Sequence, residues 1–169
     1  TISGTREGTD LGGGVGVYAA RPWGWEPPRL LVADSTIPDN LVAGAWLEGQ
    51  GSYRFEGVTL TGAIGVPHRG VLRRRDGVYA TAATPWDVST GLSIEGSTLS
   101  ANHGAGLFLD NASAQLDGNT WSDNDPDLLA QGEACLSPHE DWAEVPTTEV
   151  CPGWDRPTCA LVFQLNVSV

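Results

Sequence analysis

One short pattern recurs along this chain in fixed order and restricts the fold more than any other feature. A threonine is followed by an apolar residue, usually by a hydroxyl, and then by a turn. It reads Thr1-Ile2-Ser3, Thr36-Ile37-Pro38, Thr59-Leu60-Thr61, Thr98-Leu99-Ser100 and Thr120-Trp121-Ser122. Apolar residues at Val32, Phe55, Ile94 and Leu116 precede the later repeats. Between them runs a second element: Gly16-Val17-Tyr18-Ala19, Gly44-Ala45-Trp46-Leu47, Gly77-Val78-Tyr79-Ala80 and Gly106-Leu107-Phe108-Leu109. Two elements alternating at a recurring spacing mean stacked units, each burying its apolar face on the next.

The spacing carries a second level. Gly16 and Gly77 lie 61 residues apart, Thr36 and Thr98 lie 62, and Thr59 and Thr120 lie 61. Long and short units therefore alternate within a duplication. Successive strand side chains point to opposite faces, so alternation assigns each residue a side. Val17, Ala19, Ala45, Leu47, Val78, Ala80, Leu107 and Leu109 are expected inside, with Val32, Ile37, Phe55, Leu60, Ile94, Leu99, Leu116 and Trp121 from the other strands. Tyr18, Trp46, Tyr79 and Phe108 then form an outward aromatic column. Asn40, Asn102 and Asn124 follow three of the repeats, where Asn tolerates left-handed backbone and can bond along the stack.

Composition agrees with short strands and many turns. The 169 residues suit one domain and include 22 Gly, 11 Pro and no Met, and all nine basic residues are Arg. A formal net charge of −12 argues against duplex DNA or an anionic membrane as a partner. No apolar run approaches the ~20 residues of a membrane-spanning helix. The chain opens inside a repeat at Thr1, so it is expected to be a processed piece of a longer protein. Its open N-terminal unit would stack on missing upstream coils or on another copy. Cys135, Cys151 and Cys159 all lie near the C-terminus; an odd count permits one disulfide and leaves one thiol. A stapled end in an oxidising compartment is the expectation, and no metal site or cofactor is. Asn111-Ala112-Ser113 and Asn166-Val167-Ser168 have the form of glycan acceptors.

Segments such as Gly91-Leu92-Ser93-Ile94-Glu95-Gly96-Ser97-Thr98-Leu99-Ser100-Ala101-Asn102 and Gly106-Leu107-Phe108-Leu109-Asp110-Asn111 resemble the right-handed parallel β-helix repeats of the pectate-lyase-like superfamily. The resemblance covers residues 1–125 and implies an all-β solenoid of about four coils. Residues 126–169 break the pattern and are expected to form an irregular, Cys-containing cap ending in a strand, because apolar residues occupy odd positions from Leu161. That superfamily includes lyases, hydrolases and epimerases, phage tailspikes and non-catalytic surface proteins, so the fold alone does not select an activity. Of the polygalacturonase set only the His-Gly pair of Asn102-His103-Gly104 is present, and Val66-Pro67-His68 lacks the Asp of the epimerase motif. A clustered acidic calcium site is not evident.

Candidate chemistry lies in the long connectors. Pro22-Trp23-Gly24-Trp25 and Pro85-Trp86-Asp87 fall at equivalent points of the duplicated units. Exposed indole rings either pack on the solenoid or meet a ligand, and flat rings suit sugar faces. Arg73, Arg74 and Arg75, close to His68 and Arg69, could grip carboxylates or sulfates. His68, His103, Asp87 and Asp110 are the weak candidates for acid–base catalysis. The leading expectation is a structural or carbohydrate-binding module, secreted or on a cell surface, a bacterial envelope included. It would engage a polysaccharide or cell-surface glycan through Trp23, Trp25, Trp86 and the arginines. The alternatives are a polysaccharide lyase or glycosidase on an acidic polysaccharide, and an assembly segment of a larger solenoid. The Thr-x-Thr/Ser face also fits the flat threonine arrays by which other β-solenoids bind ice, although Pro38 interrupts it.

Overall fold

A computed structural model describes residues 14–21, 26–65, 67–68, 71–72, 75–82, 90–131, 134–138 and 163–165. Every regular element among them is a strand. The chain runs β1 (Val15–Ala20), β2 (Arg29–Ala33) and β3 (Thr36–Pro38), then β4 (Ala43–Glu48), β5 (Gly51–Glu56) and β6 (Thr59–Thr61). A small antiparallel pair follows, β7 (Pro67–His68) and β8 (Val71–Leu72). The circuit resumes with β9 (Asp76–Thr81), β10 (Thr90–Glu95), β11 (Thr98–Ser100), β12 (Leu107–Asp110), β13 (Ser113–Asp117) and β14 (Thr120–Ser122). It continues through β15 (Leu128–Gln131) and β16 (Cys135–Pro138), and β17 (Phe163–Leu165) comes last.

These strands stack as three principal sheets. Sheet A has the order β1-β4-β9-β12-β15-β17, sheet B β16-β13-β10-β5-β2, and sheet C β14-β11-β6-β3. All the pairings in them are parallel except β15 with β17. The chain visits A, B and C in turn and repeats the circuit, which makes the molecule solenoid-like. The repeats align as the sequence implies: Thr36, Thr59, Thr98 and Thr120 share one register position, and Tyr18, Trp46, Tyr79 and Phe108 another. The parallel ladders run on past residue 125, since β15 and β16 extend sheets A and B. The strand expected at the C-terminal end is present as β17 and lies antiparallel to β15, pairing Leu165 with Leu128.

One interior is shared by all three sheets. Ala45, Leu47, Val78, Leu107 and Leu109 from sheet A meet Phe55, Ile94 and Leu116 from sheet B and Ile37, Leu60, Leu99 and Trp121 from sheet C. Val17, Ala19, Leu30 and Val32, in the first circuit, are only partly buried. Tyr53, Leu92 and Ala114 complete the sheet B side.

Single left-handed residues make the corners. Between sheets B and C these are Asp34, Gly57, Gly96 and Gly118, at φ 46, 59, 53 and 56°. Between C and A they are Asp39, Gly62, Ala101 and Asp123, at φ 55, 70, 51 and 57°. This corrects the expectation for Asn40, Asn102 and Asn124: each comes one residue after the left-handed position. The amide of Asn102 donates to Asn124 Oδ1 at 2.8 Å, and Asn124 donates to the Leu99 carbonyl at 2.8 Å. The Ala63 N–H donates to Asn102 Oδ1 at 3.1 Å, so the ladder reaches the preceding circuit although it has no Asn there. These side chains satisfy buried backbone groups that the turning chain cannot pair with itself.

The repeated glycine of sheet A has a steric cause. A Cβ at Gly44 would lie 2.6 Å from the Gly77 carbonyl oxygen, and one at Gly77 would lie 2.6 Å from that of Gly106. Coils enter sheet A so closely that only hydrogen fits between them.

Candidate functional site

Sheet B carries an open cleft on its outer face. Inward placement of Tyr53 and Phe55, Leu92 and Ile94, and Ala114 and Leu116 leaves their neighbours on the outer face. Three columns result, each running along the stack: Arg29-Ser52-Gly91-Ser113, Leu31-Arg54-Ser93-Gln115 and Ala33-Glu56-Glu95-Asp117. Gly91 has no side chain and its flanking positions are serines, so the sheet floor is low there. An open cleft of about 360 Å³ follows, lined by Ser52, Arg54, Gly91, Ser93, Ser113 and Gln115. Hydroxyl and amide groups both donate and accept, which is the chemistry of recognising a polyhydroxylated ligand.

Charge along one border of the cleft is organised. The Arg54 guanidinium bonds Glu56 and also Glu95, the latter at 3.0 Å. Ser93 Oγ donates to Glu95 at 2.8 Å. The Ser93 hydrogen bond, helped by Arg54, holds the Glu95 carboxyl below the usual carboxylate range. The bond to Glu95 and the charges of Glu56 and Glu95 push the Arg54 guanidinium above its usual value.

The connectors leading into sheet B differ sharply in length. Gly49-Gln50 and Asn111-Ala112 make two-residue corners, whereas β1 to β2 and β9 to β10 use residues 21–28 and 82–89. Trp23, Trp25, Trp86 and Asp87 belong to these long connectors and lie outside the described residues. Both connectors rejoin sheet B at the edge that bears the cleft, at Arg29 and at Thr90, next to Gly91. One strand, β5, separates the two re-entry points, so they are ~10 Å apart.

The arginine-bearing connector sits elsewhere. It leaves β6, contains β7 and β8, and returns at Arg75 to β9, at the corner between sheets C and A. Both of its ends are held by the next corner, where His103 N–H donates to the Ala63 carbonyl at 2.9 Å and Gly104 N–H to the Arg75 carbonyl at 3.0 Å. Arg75 is half-buried; Arg73 and Arg74 lie outside the described residues, and His68 is described only as backbone in β7. The arginine connector therefore joins sheet A at the start of β9, and the tryptophan connectors leave it at the opposite strand ends of β1 and β9.

The histidine–carboxylate candidates are separated too. His103 is exposed before β12, while Asp110 ends that strand and accepts from Tyr79 Oη at 3.3 Å and from Asn111 at 3.0 Å. Most of a strand therefore lies between them. Cys135 is a backbone position of β16, and Cys151 and Cys159 lie outside the described residues, so the expected disulfide does too. Among the described residues no group of three or more His, Cys, Asp and Glu could hold a metal, and no helix is long and apolar enough to cross a membrane.

The outer face of sheet A is of another kind. Tyr18, Trp46, Tyr79 and Phe108 stack edge to face, with successive centroids 6.5, 5.0 and 5.5 Å apart. Tyr18 is 58% exposed, whereas Tyr79 and Phe108 are buried and Trp46 and Leu129 pack against them. Partial burial, then the Glu48 carboxylate that its hydroxyl bonds at 3.1 Å, push the Tyr18 hydroxyl above its usual value. The aromatic column expected outside is therefore outward in direction yet largely closed to solvent.

Sequence reasoning did not find the sheet B cleft. Its signal was small or polar residues at one phase of the alternation: Ser52, Gly91, Ser93 and Ser113. Comparison with family models, curated proteins and solved structures gives no match.

Proposed function

We propose that this chain is a right-handed parallel β-helix of the pectate-lyase-like type, about four coils long with a C-terminal cap, that serves a secreted or cell-surface protein as a non-catalytic carbohydrate-binding module. The hand is the one that parallel crossover connections overwhelmingly adopt. A single observation carries the functional reading: a cleft lined by Ser52, Ser93, Ser113 and Gln115 beside the edge where both tryptophan-bearing connectors enter sheet B. Hydroxyls and amides would bond sugar hydroxyls, and Trp23, Trp25 and Trp86 would supply flat apolar contact. Arg75 stands at the opposite strand end of sheet A, so the arginine connector is not needed for this site. The scattered His103 and Asp110 favour no hydrolytic or eliminative reading.

Affinity electrophoresis through gels containing single polysaccharides tests the proposal. Retardation by at least one polymer is expected, with no shortening of the polymer on incubation. The S52A/Q115A double variant and the W23A/W25A/W86A triple variant should each reduce it. Both exposed positions of the double variant can change without unfolding the chain. Free migration in every gel would refute binding, and a shortened polymer would refute the non-catalytic part.

A further inference from the structure

We infer that the cleft selects an uncharged glycan chain and disfavours uronate- or sulfate-bearing ones. This inference rests on the proposed carbohydrate site and narrows its ligand class. Among the described residues, the cationic side chain lining the cleft is Arg54, and its guanidinium is already engaged by Glu56 and Glu95. At Arg54 a ligand carboxylate would have to displace one of those carboxylates rather than fill a waiting site. Glu56, Glu95 and Asp117 form one continuous column on the same face, two residues along each strand beyond the column of Arg54, Ser93 and Gln115. Three carboxylates against one guanidinium leave that border negative, and with exposed Arg29 at the head of the Ser52 column the described outer face of sheet B still carries three carboxylates to two guanidiniums. The Arg54, Ser93 and Gln115 side of the cleft lies about 7 Å from that border, within a Debye length of about 8–10 Å at ordinary ionic strength. The chain's net charge of −12 adds to the repulsion.

The rest of the lining is uncharged, and its serine and glutamine side chains are bifunctional. Ser52, Ser113 and Gln115 can each donate to one sugar hydroxyl and accept from another. They are distributed along the stack on β5 and β13, with the Gly91 notch on β10 between them. The low path therefore crosses the strands, and a bound chain would lie along the solenoid axis.

The experiment pairs each neutral polymer with its own charged derivative. The 169-residue chain is run in gels of glucan, mannan and galactan, and of the same polymers oxidised to carboxylate at C6. Retardation by a neutral polymer is expected, with binding to its carboxylated partner weaker by roughly tenfold or more, as like-charge juxtaposition dictates. Removing the negative border in the E56Q/E95Q variant should narrow that gap, because it frees Arg54 and takes away two carboxylates. Equal or stronger binding of the carboxylated polymer would overturn the inference while leaving the carbohydrate reading standing. Retardation by none of the polymers in either form would overturn both.

Discussion

The outer faces of sheets A and B are built by the same alternation on the same coils, yet one is closed and the other open. On sheet A the outward positions carry Trp46, Tyr79 and Phe108, whose rings pack edge to face and form a second apolar cluster. On sheet B the equivalent positions carry Ser52, Gly91, Ser93 and Ser113, and a cleft remains. Inward columns must fill a fixed interior at near-crystalline density, so their freedom is small. Outward columns answer to no such constraint. One face can be given to stability and its neighbour to recognition without disturbing the stack.

Substitutions can break this contrast, and the largest effect belongs to sheet A. Phe108→Ala should destabilise by about 3 kcal/mol in denaturant melts, close to the ~2–5 kcal/mol expected for the interior Leu109→Ala. A loss within ~0.5 kcal/mol would mean that the aromatic column is ordinary surface. Gly77→Ala should lose about 1–3 kcal/mol by overpacking, because its new methyl group meets the Gly106 carbonyl of the next coil. At Gly91 a Cβ would sit 3.1 Å from the Gly51 carbonyl, so Gly91→Ala should lose visibly less. Equal losses would indicate that sheets A and B are equally tight.

Smaller effects sharpen the picture at the corners and at the open face. Ala101→Gly should stabilise by roughly 0.5–1 kcal/mol, since φ 51° strains any residue with a Cβ. Gln115→Ala should change stability by no more than ~0.5 kcal/mol while weakening glycan retardation, the combination that separates a binding residue from a packing one. The smallest effect concerns pH. Glu95 titrates below its usual value in the folded chain, so its contribution is complete above the ordinary carboxylate range and is lost as pH falls through the lowered value. Solvent screens this exposed pair. The acid-side difference between the wild type and Glu95→Gln should be slight, and added salt should reduce only the part owed to the Arg54 charge.

Much of the stack was legible in the residues. Thr36, Thr59, Thr98 and Thr120 fall in one register row, and Leu60, Leu99 and Trp121 point inward, because alternation is a property of each strand alone. The asparagine ladder was legible in part. The stack bonds of Asn102 and Asn124 were foreseeable from side-chain chemistry, but the left-handed residue proved to be the preceding one, Ala101 or Asp123. Nothing local distinguishes two adjacent turn residues until the coil above fixes which carbonyl must be reached. The placement of the histidine–carboxylate candidate was hidden for the converse reason. His103 and Asp110 are near in sequence, and an extended strand holds them apart.

The sequence by itself determined the repeat, the side on which each strand residue stands and the all-strand architecture, since all three follow from local periodicity and the need to bury apolar faces. Only the tertiary structure decided which outward residues share a surface. Bringing Ser52, Gly91 and Ser113 into one cleft takes the parallel register of β5, β10 and β13. Parting the tryptophan connectors from the arginine connector takes the order in which the chain visits three sheets. Both depend on contacts between residues far apart along the chain, and these become definite only when one coil seats on the next.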